Sequence, residues 1–154
     1  SMSIGQFAEI AFMAATGAVL ARLGYRRVLL LGAFCFFLRY AVFGFVQLPL
    51  GVIVAAQFLH GPCFAFFIGV AFIYVDALAP KDVRHSAQTV FVLMLLGVGP
   101  ILAGWLNGFL SRMFTPEGGT LDYGWFWHAL SLLGLAATLA LAVFFKDETK
   151  SEPR

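Results

Sequence analysis

The chain has 154 residues, of which 61% are hydrophobic and 12% charged, and its mean hydropathy is +0.90. A soluble domain of this size has too little interior to hide so much apolar side chain, which excludes a soluble globular domain, a disordered chain and a disulfide-rich secreted scaffold. Ten basic and eight acidic residues give a formal charge of +2, which is too weak for nucleic-acid binding, so we expect lipid to surround most of the chain.

Stretches without Asp, Glu, Lys or Arg define the predicted elements. A helix needs about 20 mostly apolar residues to cross a bilayer, and these long runs lack the alternation of membrane β-strands. We therefore predict an all-α membrane protein with five transmembrane helices. Their predicted ranges are 4–21, 27–46, 51–78, 84–111 and 123–145, and they are followed by a polar tail over 146–154.

The first predicted helix carries two polar residues, Gln6 and Glu9. Their spacing of three puts both side chains on one helical face, and a carboxyl group facing lipid is costly. This face is therefore expected to look into a polar cavity, where Glu9 could take up and release a proton. The alternative is that Glu9 lies at a frayed helix start in headgroup water.

Arg39 lies near the middle of the second predicted helix. A buried partner that holds helices together is favoured for it over direct contact with substrate. The two cysteines, Cys35 and Cys63, lie in apolar runs without metal-ligand spacing, and we expect both to be buried as small apolar residues.

The third predicted helix is interrupted by His60-Gly61-Pro62. Proline removes a backbone hydrogen bond, so a kink is expected there, and broken membrane helices tend to line substrate cavities. With Phe64 nearby, His60 could bind a flat polar ligand by stacking and hydrogen bonding. The alternative is a purely structural hydrogen-bonding role for His60.

Two charged residues mark the far end of the third helix and the start of the fourth. Asp76 and Arg84 could form a latch that opens and closes, or a passive salt bridge at the membrane surface. In the fourth helix, Gly104 and Gly108 form a GxxxG pair, which lets another helix approach closely. This pair marks packing and leaves open a second function class, a membrane scaffold or assembly subunit without transport activity.

Catalytic motifs are missing from the sequence, which contains no HExxH, no GxSxG, no P-loop and no metal-ligand cluster. We therefore predict neither an enzyme nor a bound cofactor or metal.

The basic residues predict the orientation. By the positive-inside rule the C-terminus is cytoplasmic and the first helix starts on the outer side. There is no signature of a cleavable signal peptide, so an outer start is expected if another span precedes it. The basic residues assigned to the cytoplasmic side are Arg22, Arg26, Arg27, Lys81, Arg84, Lys146, Lys150 and Arg154.

Several motifs together resemble a known family. The basic segment Arg22-Leu23-Gly24-Tyr25-Arg26-Arg27 is similar to the loop between the second and third helices of each half of major facilitator transporters. From residue 4 to about 145, the chain resembles the nucleoside:proton symporters of that superfamily. The other motifs that carry the resemblance are Gly5–Ile10, Leu38-Arg39-Tyr40, Tyr74-Val75-Asp76, Ala79-Pro80, Arg84 and Ser86-Ala87-Gln88.

The resemblance implies a place in a larger carrier. The five helices would correspond to helices eight to twelve of twelve, in the bacterial inner membrane, and the missing N-terminal half would be a required partner. The carrier would take up a nucleoside together with a proton by alternating access, or transport another small polar solute.

The resemblance also implies roles for individual residues. Gln6, Glu9, His60 and Phe64 would bind the nucleoside. Because Ala65 stands where the family has an acidic residue, Glu9 remains the leading proton-coupling site. The segment with Arg22 and Arg26 would act with Asp76 and Arg84 in gating, and Arg39 would be structural.

Overall fold

A computed structural model describes residues 2–45 and 47–147 of the chain. Val46, at the end of the second predicted helix, and the part of the predicted tail beyond residue 147 lie outside the described residues. Within these two ranges every regular element is a helix, which confirms the all-α class.

Among the residues that the structure describes, four helices are long and apolar enough to cross a membrane by length and composition, whereas the sequence predicted five. They are α1 (Met2–Gly44), α2 (Leu50–Leu78), α3 (Arg84–Met113) and α4 (Tyr123–Phe144).

The difference in helix number arises at Gly24, inside α1. The predicted connector over residues 22–27 is helical on both sides of Gly24, whose backbone angles are φ 77° and ψ 165°. Only glycine adopts this region readily, because a Cβ would clash there. One residue therefore makes the turn, and no loop separates the two parts. We call residues 2–23 the first arm of α1 and residues 25–44 the second arm.

The two arms run in opposite directions along α2. A Cβ on Gly5, near the start of the first arm, would lie 3.4 Å from the His60 ring, and Arg39, near the end of the second arm, contacts the same ring. Beside the turn, the rings of Tyr25 and Tyr74 meet edge to face, with centroids 5.1 Å apart. The chain therefore reverses at Gly24, and both arms contact α2.

Proline changes the width of the helical turns without ending α2. A 3₁₀ turn at Gln57–Leu59 precedes Pro62, and wider π turns at Cys63–Gly69 follow it. Proline has no N–H and its ring crowds the preceding turn, and a local change in winding accommodates both effects. Around the predicted kink at Gly61-Pro62, the helical winding thus changes over residues 57–69, while Pro62 itself keeps helical angles (φ −65°, ψ −31°).

The buried core lies between α1 and α2, and both cysteines are buried and free, as predicted. Its main cluster consists of Val28, Leu29, Ala65, Phe66 and Val70. Helix α4 lies against the second arm, where the Ser131 hydroxyl donates to the Phe37 carbonyl oxygen at 3.4 Å.

Helix α3 is attached mainly at its start. Gln88 donates to the carbonyl oxygen of Phe72 at 3.0 Å, and the Phe72 and Phe91 rings meet at 4.9 Å between centroids. Further along, large apolar side chains such as Leu96 and Trp105 are exposed, as expected for a helix bordered by lipid or by another protein segment.

Candidate functional site

Small residues bring the first arm close to α2 at the level of the polar cluster. Ala8 is buried, and a Cβ on Gly61 would lie 2.7 Å from its carbonyl carbon and 2.6 Å from the Phe12 ring. Only a residue without a Cβ fits at position 61 without displacing these atoms. Glu9 directly follows Ala8, and His60 directly precedes Gly61. This close approach therefore sets the distance between Glu9 and His60.

Glu9 and His60 face each other across this contact. Glu9 Oε2 lies 3.9 Å from His60 Nε2, and their side chains are 24% and 36% exposed. The separation is too long for a hydrogen bond but within the range of an electrostatic interaction. A shift of roughly 1 Å would close it to hydrogen-bond distance.

Arg39, on the second arm, sets the hydrogen-bonding roles of the two ring nitrogens of His60. Its Nη1 lies 3.1 Å from His60 Nδ1. A guanidinium can only donate, so Nδ1 is the accepting nitrogen of this hydrogen bond. The ring proton therefore lies on Nε2, the nitrogen that faces Glu9.

Gln57 completes the cluster. Arg39 Nη2 donates to Gln57 Oε1 at 3.1 Å, and the guanidinium carbon lies 5.3 Å from the centre of the Phe43 ring. Arg39 Nε is buried and has no hydrogen-bond partner among the described residues. Gln57 is not among the residues predicted from the sequence, although its spacing of three from His60 in an uncharged run is a usable signal.

The other two predicted binding residues border this cluster. Phe64 is 36% exposed, and its ring centre lies 6.5 Å from that of His60 at an angle of 50°. The Gln6 side chain is exposed, one turn before Glu9. The structure thus brings Glu9, His60 and Phe64 together and leaves Gln6 on an open surface next to them.

An apolar cavity of about 370 Å³ lies beside Phe64. Its lining includes Thr16, whose hydroxyl donates to the Phe12 carbonyl oxygen at 2.8 Å, and the fully buried Ala65. At position 65, where the resemblance would place an acid, the structure has an apolar wall. Glu9 is therefore the acidic side chain of the cluster in the part of the chain that the structure describes.

At the other end of α2, Asp76 Oδ1 lies 3.6 Å from Arg84 Nε. Both side chains are about half-exposed, at 49% and 40%, which is typical of a surface ion pair. Arg26 does not take part in this pair, since its Nη2 donates to the Ala142 carbonyl oxygen of α4. Arg22 lies on the exposed surface beside the turn at Gly24. The predicted gating residues therefore divide into two groups.

The described residues offer no group of three or more His, Cys, Asp or Glu side chains that could hold a metal ion. The chemistry available at the cluster is instead proton transfer at Glu9, hydrogen bonding by His60 Nε2 and stacking on Phe64.

Comparison with known sequences gives a consistent set of relatives. The model of the family described as nucleoside H⁺ symporter matches residues 1–150. Over 94% of its length the chain is 32% identical to the putative nucleoside transporter YegT of Escherichia coli (strain K12), of which it covers 35%. Over 92% it is 31% identical to the nucleoside permease NupG of the same strain, of which it covers 34%.

Comparison with solved structures agrees with the sequence matches. The crystal structure of a mutant of the nucleoside transporter NupG superposes on 94% of this chain with a TM-score of 0.85 and 30% sequence identity. The superposition covers 37% of that protein. The chain thus spans about a third of the length of the relatives that it matches.

Proposed function

This chain belongs to the nucleoside H⁺ symporter family, and we propose that it forms the C-terminal part of a carrier that takes up a nucleoside together with a proton. The observation that supports this most is the meeting of Glu9, His60 and Arg39, which come from three helical segments, in one polar cluster. Ionisable groups inside apolar helices are costly, and they commonly line the path of a substrate or proton.

We propose that α1 crosses the membrane twice, once with each arm, so that the chain makes five crossings. Each arm has about 20 residues and so a length of roughly 30 Å, which matches the hydrocarbon thickness. The reversal at Gly24 supports this, since the two arms run in opposite directions and both contact α2. The five crossings would be helices eight to twelve of a twelve-helix carrier with a cytoplasmic C-terminus.

In the proposed mechanism the nucleoside binds between this part and the N-terminal half of the carrier, which then rock around it. His60 offers its Nε2 proton to an acceptor on the base or sugar, and Phe64 provides an aromatic face for the base. Gln6, on the open surface, offers the nucleoside a hydrogen-bond donor and an acceptor from its side-chain amide. Glu9 takes up the transported proton, which removes the negative charge facing His60 and Arg39.

The test is Glu9→Gln in the complete carrier, reconstituted into proteoliposomes with an imposed pH gradient. Glutamine keeps the shape of the side chain and cannot exchange a proton. We expect loss of uphill accumulation of labelled nucleoside, while exchange of nucleoside across the membrane at equal concentrations persists. Glu117→Gln, a change of the same type in the exposed loop after α3, is the control and should accumulate nucleoside normally.

Two results would contradict the proposal. Normal proton-driven accumulation by Glu9→Gln would exclude Glu9 as the coupling site. Absence of any nucleoside transport by the unmodified carrier would contradict the substrate class itself.

The glycine face of α3 supports a second candidate, a scaffold or assembly subunit. A Cβ on Gly104 or Gly108 would meet nothing within 4 Å, so this face is open to another helix. In the transporter proposal, the rest of the carrier would cover it. Uptake by the complete carrier separates the two candidates, because a scaffold would transport nothing.

A further inference from the structure

A second cavity, of about 640 Å³ and lined in part by charged side chains, lies at the end of the bundle where the two arms of α1 meet. It is separate from the cluster at Glu9 and His60, and the proposed mechanism places neither the nucleoside nor the transported proton in it. The turn at Gly24 forms one side of it, and residues that follow α4 form the other. Its charged lining consists of Arg22, Arg26, Arg27, Lys146 and Asp147.

The fold itself gathers these cations. Because the chain reverses within a single residue, Arg22 at the end of the first arm and Arg26 at the start of the second are brought to the same space. Arg26 is held there by its hydrogen bond to the Ala142 carbonyl oxygen. Four cationic side chains thus surround a cavity in which Asp147 is the acid among the lining residues.

The cavity also has an apolar side, to which Leu23 and Leu30 contribute. A ligand that fits therefore carries concentrated negative charge next to an apolar portion. Guanidinium groups bind phosphate oxygens in pairs, which makes arginine a common phosphate ligand. Basic side chains at the cytoplasmic surface also attract anionic lipids, and the positive-inside rule assigns this end of the bundle to that surface.

We propose that this cavity is a binding site for a phosphate group, carried by the headgroup of an anionic phospholipid. Arg22 and Arg27, both exposed, donate hydrogen bonds to the phosphate oxygens. Arg26 remains bonded to the Ala142 carbonyl oxygen and forms one side of the cavity. Leu23 and Leu30 face the first carbons of the acyl chains. Free inorganic phosphate shares the same chemistry, and the experiment separates the two sources.

The experiment titrates the purified complete carrier in neutral detergent with phosphatidylglycerol and counts bound lipids by native mass spectrometry. Phosphatidylcholine, which carries the same phosphate with a neutralising choline, is titrated in parallel. The variants are Arg22→Gln and Arg27→Gln. Arg112→Gln is the matched control, because Arg112 is also exposed but lies near the end of α3, in a different cavity.

We expect Arg22→Gln and Arg27→Gln each to weaken phosphatidylglycerol binding by about fivefold, and Arg112→Gln to change it less than twofold. Asp147→Asn removes the acid and should tighten binding severalfold, which keeps the test valid if an arginine variant fails to fold. If inorganic phosphate competes with phosphatidylglycerol, the site binds phosphate from either source. If it does not compete, the site binds the lipid alone.

Unchanged phosphatidylglycerol binding in both arginine variants, or an equal loss in Arg112→Gln, would overturn the proposal. The readout is lipid binding, so the result does not depend on whether the carrier transports nucleosides.

Discussion

At the residue scale, one hydrogen bond determines which ring nitrogen of His60 is free to donate. Arg39 Nη1 lies 3.1 Å from His60 Nδ1, so Nδ1 accepts this hydrogen bond and Nε2 carries the ring N–H. A second proton on His60 would place an N–H against the guanidinium and break this contact. His60 in this arrangement is therefore a hydrogen-bond donor toward Glu9, which is consistent with the proposal that Glu9 takes up the transported proton.

This assignment predicts different outcomes for two substitutions of His60. In His60→Gln, the amide oxygen can accept from Arg39 and the amide nitrogen can donate toward Glu9, so we expect folding and nucleoside binding to persist. In His60→Phe, Arg39 Nη1 loses its partner in a part-buried site, which should lower the free energy of unfolding by about 1 kcal/mol. Thermal unfolding and equilibrium nucleoside binding of the two variants in the complete carrier are the measurements. Equal stability of both variants would contradict the role assigned to the Arg39 contact.

At the scale of elements, glycine determines how the helical segments meet. Gly24 reverses α1 through backbone angles that a side chain disfavours, and Gly61 lets the first arm approach α2. The sequence predicted a connector at residues 22–27 from its arginines but not that Gly24 alone would make the turn. It also assigned Gly61 to a kink with Pro62, whereas the structure uses Gly61 for close contact with Ala8 and Phe12.

Gly24→Ala should destabilise the protein by about 1–3 kcal/mol, since alanine is strained at φ 77°. Gly17→Ala is the matched control, because Gly17 lies in the helical part of the first arm and a Cβ there would meet nothing within 4 Å. That change should be neutral or stabilising by up to about 1 kcal/mol, from helix propensity. Thermal unfolding of both variants in detergent checks this, and similar effects at the two positions would be inconsistent with a strained turn.

Gly61→Ala should separate the first arm from α2, since the added Cβ would lie 2.7 Å from the Ala8 carbonyl carbon. The distance between Glu9 and His60 would increase, and we expect nucleoside uptake to fall at least tenfold, as small displacements in a preorganised site cost activity. Gly51→Ala, at a position of α2 where a Cβ would meet nothing within 4 Å, should leave uptake unchanged. Normal uptake by Gly61→Ala would show that this approach does not position the site.

At the scale of the whole molecule, composition and family motifs correctly predicted the fold class and the family, whereas local patterns left several side-chain contacts unpredicted. Long uncharged runs are enough to predict a helical membrane protein, and the ordered motifs around Glu9 and Arg39 are enough to identify the family. The partners of Arg39 could not be predicted, because His60 and Gln57 belong to another helix whose rotation depends on packing. The separation of Arg26 from Asp76 likewise depends on the contact of Arg26 with α4.

We expect the Asp76–Arg84 pair to bias the balance between the outward-open and inward-open states of the proposed complete carrier. The Asp76–Arg84 pair links the end of α2 to the start of α3 across 3.6 Å, but both side chains are about half-exposed. An ion pair this exposed stabilises the state in which it forms by only about 0.2–1 kcal/mol, which is less than a buried ion pair would contribute. Asp76→Asn should therefore shift the populations toward the inward-open state by no more than about fivefold. Nucleoside affinity in the binding-competent state should stay nearly constant.

A distance probe between the cytoplasmic ends of the two halves measures these populations. Asp82→Asn, which removes an exposed acid from the neighbouring connector, is the control for a general change in charge and should have little effect. Exchanging the two charges, with Asp76→Arg and Arg84→Asp together, should restore the original balance, because the attraction is kept. If Asp76→Asn instead weakens nucleoside binding directly and leaves the populations unchanged, Asp76 contacts the substrate and the latch is excluded.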